Sequence, residues 1–98
     1  MHEHGLAKEL WPMLQQIASD KGLECVRRVE MVVGLLHGVS AEFLAHSFEH
    51  LFAGSVWEGA AVEVQIVEPG QEYTVPGSDA AIIATGWELL VTHLEDAT

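Results

Sequence analysis

Lysine and arginine are scarce in this chain, four against fifteen aspartates and glutamates, for a formal net charge of −11 at pH 7. A surface that holds nucleic acid or an anionic bilayer needs clustered cations to neutralise phosphates. Beyond Arg27-Arg28 there is no such cluster, so neither is an expected partner. Cysteine is scarcer still. Cys25 stands alone and cannot make an internal disulfide or a four-cysteine zinc site, and a single thiol fits a reducing compartment. No apolar run reaches the roughly 18 residues of a membrane-spanning helix. The opening Met1-His2-Glu3-His4 lacks the basic and apolar regions of a secretion signal, so the expected location is the cytoplasm. A Gly-rich phosphate loop, a Ser/His/Asp arrangement, internal repeats and low-complexity segments are all missing.

What is present is core material. Hydrophobic residues make up 49% of the 98 residues, enough for one domain, 1–98, that buries roughly 60–70% of its unfolded surface. Leu6, Leu10, Met13, Leu14 and Ile17 follow helical spacing, which predicts a helix over 5–21 with Gly22 as its stop. Pro12 interrupts that pattern at a cost of about 3 kcal/mol, but on the solvent face with Lys8 and Gln15, where a kink is tolerated.

Residues 26–34 alternate as a strand, Val29, Met31 and Val33 against Arg28, Glu30 and Val32. A loop through Leu35, Leu36 and His37 leads to Ser40, a good N-cap, and Glu42 suits the first turn of the next helix. That second helix, 41–53, is expected to bury Phe43, Leu44, Ser47, Phe48 and Leu51 and to expose Glu42, His46, Glu49, His50 and Ala53, ending at Gly54. A strand at 61–68 turns Val62, Val64 and Ile66 inward and Glu63, Gln65 and Glu68 outward. Residues 69–80 read as a turn, and 82–94 as a last strand with a bulge at Gly86. The order helix, strand, helix, strand, strand predicts an α+β fold, a two-layer sandwich. Its two helices pack on one face of a three-stranded mixed sheet, whose parallel pair comes from a right-handed crossover.

Four stretches in this order resemble the HypA family, accessory proteins that help deliver nickel to hydrogenase and urease. They are Met1-His2-Glu3 leading into a helix; Val33-Gly34, Gly38-Val39-Ser40-Ala41-Glu42 and Ser47-Phe48-Glu49; Gly54-Ser55-Val56 with Glu58-Gly59-Ala60; and Gly86-x-Glu88-Leu89-x-Val91-x-x-Leu94-Glu95. The resemblance implies an α+β core, a nickel site at the start of the chain that includes His2, a GTPase partner of the HypB type, and a hydrogenase or urease precursor as client. Members of the family insert a zinc module built on two Cys-x-x-Cys pairs between the last two strands. Here that place is the turn 69–80, without cysteine, and Gly70-Gln71-Glu72-Tyr73 resembles the family's residues just after the first cysteine pair. Structural zinc needs four donors and is not expected.

The chemistry of the opening residues can be argued on its own. Methionine before a bulky histidine is expected to be retained, leaving a free α-amine with a pKa of about 8. Amine, deprotonated backbone amides and the His2 ring can wrap a square-planar ion in fused chelate rings, a geometry that suits Ni(II) or Cu(II). Glu3 adds charge and, by the resemblance, a backbone amide. His4 is an extra donor that completes or competes for the site. Some family members carry an acidic ligand at the position of Ser40. Serine is a poor ligand there and a good cap, and His37 in the same loop is the substitute candidate. The candidate metal set is therefore Met1, His2, Glu3, His4 and His37. The bland alternative is an exposed, frayed start.

His46-Ser47-Phe48-Glu49-His50 matches the reversed zinc-protease motif. Catalysis would need a third ligand and a shielded cleft, and this face points to solvent, which leaves either incidental histidines or an auxiliary surface metal site. Glu88 is read as a polar strand residue, Trp11, Trp57 and Trp87 as core or rim aromatics of which one can anchor a partner, and Cys25 as unreactive. Two functions fit these readings. The first is a transient Ni(II) carrier that is not an enzyme. The second is a metal-free module that binds another protein or a second copy of the chain, suggested by the missing zinc module and by Leu35 and Ser40 where the family often has acidic groups.

Overall fold

The computed structural model describes residues 2–97. The first helix, α1, runs Glu3–Asp20. Its buried stripe, Leu6, Leu10, Leu14 and Ala18, repeats every fourth residue and faces one direction. Gly22, at φ +71°, closes it. Gly22 N–H reaches Ser19 O at 3.0 Å and Leu23 N–H reaches Ala18 O at 2.9 Å, so the last carbonyls are satisfied by a left-handed cap. Pro12 lies inside α1 on its exposed side, as the periodicity predicts.

The central strand β1, Val26–Gly34, pairs parallel with β2, Ala61–Val67. Between them lie a single 3₁₀ turn, Leu35–His37, and α2, Ala41–Phe52. The final strand, Leu89–Asp96, pairs antiparallel with the other edge of β1. A two-residue ribbon, β3 Glu72–Tyr73 with β4 Ile82–Ile83, precedes it, which makes the final strand β5. The sheet order is β2-β1-β5, the mixed three-stranded sheet expected from the sequence. The main core lies between this sheet and the helices, built on Leu6, Leu14, Val29, Met31, Val33, Leu44, Phe48 and Phe52.

Four local expectations are corrected. Phe43 is 62% exposed. The buried residues of α2 are Leu44, Phe48 and Phe52, a stripe at i, i+4, i+8, and Phe43 stands about 100° around the helix from it. Val32, placed outward by alternation, is buried in a second cluster with Val67, Tyr73 and Ala84. The ribbon covers that end of the sheet's outer face, so both faces of β1 are apolar there. The segment 69–80 is accordingly more than a turn, since it contains β3 and buries Tyr73. The expected strand 82–94 is broken at Gly86, where φ is +92°, into β4 and β5.

Candidate metal centre

His2 is the N-cap of α1, extended at φ −76° and ψ 136°, with no side-chain capping bond, and it is exposed. The first bond of the helix runs from Leu6 N–H to His2 O at 2.9 Å. The amides of His2, Glu3, His4 and Gly5 are therefore the helix's four N–H groups without an intrahelical acceptor. Deprotonating the first two toward a metal breaks no bond of the helix ladder.

The Glu3 carboxylate accepts the backbone N–H of Ser40 at 2.9 Å, and Ser40 Oγ in turn accepts Phe43 N–H at 3.3 Å. One side chain thus ties the start of α1 to the N-cap of α2. The Ser40 amide, then Glu3's own amide, hold this carboxyl below the usual carboxylate range against a smaller desolvation effect, helped by the positive charges of His2 and the chain's amine. A carboxyl whose folded pKa is depressed contributes stability above its unfolded pKa and loses it as pH falls through the folded value. Glu3→Gln should therefore destabilise the protein at neutral pH, by an amount that shrinks as the pH is taken down through the carboxyl's folded range, a convergence that urea titrations along an acid series would check. A gap that persists in acid would show that the carboxylate's charge is not what matters.

His37 ends the 3₁₀ turn, and Gly38, left-handed at φ +69°, leads the chain on to Ser40. The His37 ring lies edge-on to Trp87 with centroids 5.4 Å apart, and Nε2 sits 3.0 Å from Trp87 O. A neutral ring that donates from Nε2 carries its lone pair on Nδ1. The loop holding Trp87 is fixed by Glu88, which lies outside β5 and accepts from Thr85 N–H at 2.7 Å and Gly86 N–H at 2.9 Å. These bonds hold its pKa down. Reading Glu88 as a strand residue missed this role; its signal is a carboxylate two residues after a turn glycine.

The structure brings Glu3 to Ser40, and so the chain start to the loop of His37. It turns His4 toward α2, where its ring stands 6.2 Å from that of His50. Met1 lies outside the described residues. His46 is 70% exposed with Glu49 3.7 Å away, and among the described residues no group of three or more His, Cys, Asp or Glu is placed to hold a metal ion, so the protease motif has no third ligand in place. Trp57 is buried and Trp11 packs at the core's edge, whereas Trp87 is 60% exposed. The Cys25 thiol donates to Val56 O at 3.3 Å. As the chain's single cysteine, it does not fit a four-thiolate zinc centre. No helix among the described residues is long and apolar enough to cross a membrane.

These features define a class, a two-layer α+β domain whose first helix opens on an exposed imidazole beside amides that lie outside the helix ladder. Comparison with known proteins makes the class specific. The family described as "Hydrogenase/urease nickel incorporation, metallochaperone, hypA" matches residues 1–72, and the chain belongs to this HypA family. A "Hydrogenase maturation factor HypA" of Moorella thermoacetica is 37% identical over 65 residues, covering 66% of this chain and 58% of that protein. One of Azoarcus sp. is 30% identical over 88 residues, covering 90% of this chain and 76% of that protein. The solution structure of the Ni metallochaperone HypA from Helicobacter pylori superposes with a TM-score of 0.65 at 20% identity, over 98% of this chain and 97% of that one, a likeness of fold. Against Moorella thermoacetica and Nitrosospira multiformis the chain spans 58% and 56% of the relative's length.

Proposed function

We propose that this chain is a nickel carrier that takes up Ni(II) at its start and passes it on during maturation of a hydrogenase or urease. The ligands are the Met1 amine, the amides of His2 and Glu3 and the His2 ring. His4 and His37 are flanking donors. The observation that supports this most is the entry into α1, which leaves the imidazole of His2 exposed and uncapped and the neighbouring amides outside the ladder. Nickel is cargo here, and the chain performs no catalysis. A GTPase of the HypB type and the enzyme precursor are its partners, in the cytoplasm. The cysteine-free stretch after β2 stands where other members carry zinc, as one unit with the rest of the domain.

Calorimetric titration of the untagged chain with Ni(II) should show about one square-planar site of modest affinity, with its visible absorption band. His2→Ala, or a short extension ahead of Met1, should abolish it. An extended chain that binds as well as the native one would remove the amine from the ligand set and with it this reading.

A second reading, a metal-free interaction module, draws on the large apolar side chains left in solvent, Phe43, Val56, Ile83 and Trp87. It requires a partner, or a second copy, that is retained equally with and without chelator.

A further inference from the structure

We propose a second metal site, beside the amine chelate of Met1, His2 and Glu3, in which His4 of α1 and His50 of α2 share one borderline divalent cation and clamp the two helices together. The two rings come from different helices and stand with centroids 6.2 Å apart and planes at 63°. An imidazole nitrogen binds Zn(II) or a similar ion at roughly 2.0–2.1 Å, so the ion lies about 3 Å from the ring centre. Two rings on one ion at tetrahedral or octahedral angles then stand roughly 4.5–5.3 Å apart. Closing from 6.2 Å takes a swing of about 1–2 Å by two side chains that are both exposed. The helices that carry them already pack on each other, with Leu6, Leu10, Leu44 and Phe48 in one core cluster.

The surroundings favour a cation. His46 stands one turn before His50 on the same face of α2, and Glu49 beside it adds negative charge. The chain as a whole carries −11. His50, read from the sequence as half of a pair on α2, thus has a ring from another element beside it. The donor set is neutral nitrogen with water completing the shell, which suits zinc, nickel, copper or cobalt and disfavours magnesium and calcium.

The site differs from the chain-start chelate in a way that can be measured. Met1, His2 and Glu3 are contiguous, so their chelate forms as well in the unfolded chain and gives no thermal stabilisation. His4 and His50 meet only in the folded protein, and a ligand that binds only the folded state raises Tm by mass action.

The test uses the full chain carrying a Gly-Ser-Gly extension ahead of Met1, which disables the amine chelate, and Zn(II) as the probe. One equivalent should bind in calorimetry and raise Tm. His4→Ala and His50→Ala should each weaken binding by at least about ten-fold and remove the rise in Tm, and the double variant should lose no more than either alone. Both positions are exposed, so the metal-free Tm should stay where it is, showing that the variants fold. Zn(II) binding unchanged in His50→Ala would overturn the proposal. A larger loss in His46→Ala than in His4→Ala would also overturn it, because the site would then lie on α2 alone. His4 also flanks the chain start, so the two sites are told apart with His50→Ala: the nickel titration of the native, unextended chain should be the same in that variant as in the parent.

Discussion

Gly34→Ala is expected to destabilise the protein by about 3 kcal/mol or more, a large share of the roughly 5–15 kcal/mol that holds a domain of this size. Gly34 is the last residue of β1, and a Cβ placed there would stand 2.0 Å from the carbonyl carbon and oxygen of Gly86 and 2.4 Å from the amide nitrogen of Trp87. All three are backbone atoms, so no rotamer change relieves the overlap. The two segments would have to part, and with them the bonds from Gly34 N–H to Glu88 O at 2.8 Å and from Leu36 N–H to Gly86 O at 2.9 Å, each worth about 1 kcal/mol. The same exchange at Gly5 is the control. That glycine lies inside α1 with nothing within 4 Å of an added Cβ, and Gly5→Ala should stabilise by about 0.5–1 kcal/mol. Urea midpoints of the two variants should move in opposite directions from the parent. A Gly34→Ala midpoint within error of the parent's would mean that the crossing of β1 and the Gly86 turn is looser than described.

Phe52→Ala should cost about 4 kcal/mol. Phe52 is fully buried, and its ring meets three others: Trp11 at 5.0 Å, Trp57 at 5.3 Å and Phe48 at 6.1 Å between centroids. Deleting it removes about 3–5 kcal/mol, a cost that already includes the loss of its contacts with the neighbouring rings. Trp11 and Trp57 also touch each other at 4.9 Å, so two of the three tryptophans line the void. Emission should shift to the red on mutation while Trp87, already in solvent, contributes unchanged. Unfolding followed by circular dichroism gives the free energy. A loss below about 1.5 kcal/mol would indicate that Trp11 and Trp57 collapse into the space.

The sheet and helices were legible because their apolar residues repeat over long enough spans. Leu6, Leu10 and Leu14 mark one face of α1, and Val29, Met31 and Val33 one face of β1, and both faces are buried as the periods require. The ribbon was not legible. Strands of two residues show no alternation, and Tyr73 and Ala84 become core residues only because the chain folds back over Val32 and Val67. Phe43 shows the converse. Its hydrophobicity argued for burial, but a helix that meets its neighbours along Leu44, Phe48 and Phe52 leaves no room for a second stripe.

The candidate site divides the same way. His2 and Glu3 could be singled out because the chemistry of a chain start is local, a free amine, amides and a ring in succession. The bond from Ser40 to the Glu3 carboxylate joins residues 37 positions apart, and the meeting of His4 with His50 spans two helices. Nothing in the spacing of either residue announces such contacts, which are products of how α1 lies on α2. Glu88 was misjudged for a related reason. The turn it closes exists only because β4 and β5 belong to different sheets.

The ribbon has a wider consequence. Its apolar contacts close on Val32, Val67, Tyr73 and Ala84, with Val75 and Ile82 at the margin, and none of these belongs to the cluster that seats α1 and α2. The stretch from Pro69 to Trp87 is thus a cassette with its own small anchorage. A lineage can shorten, lengthen or exchange it while the layer that presents the first residues keeps its shape, provided the two glycines at the crossing stay in place.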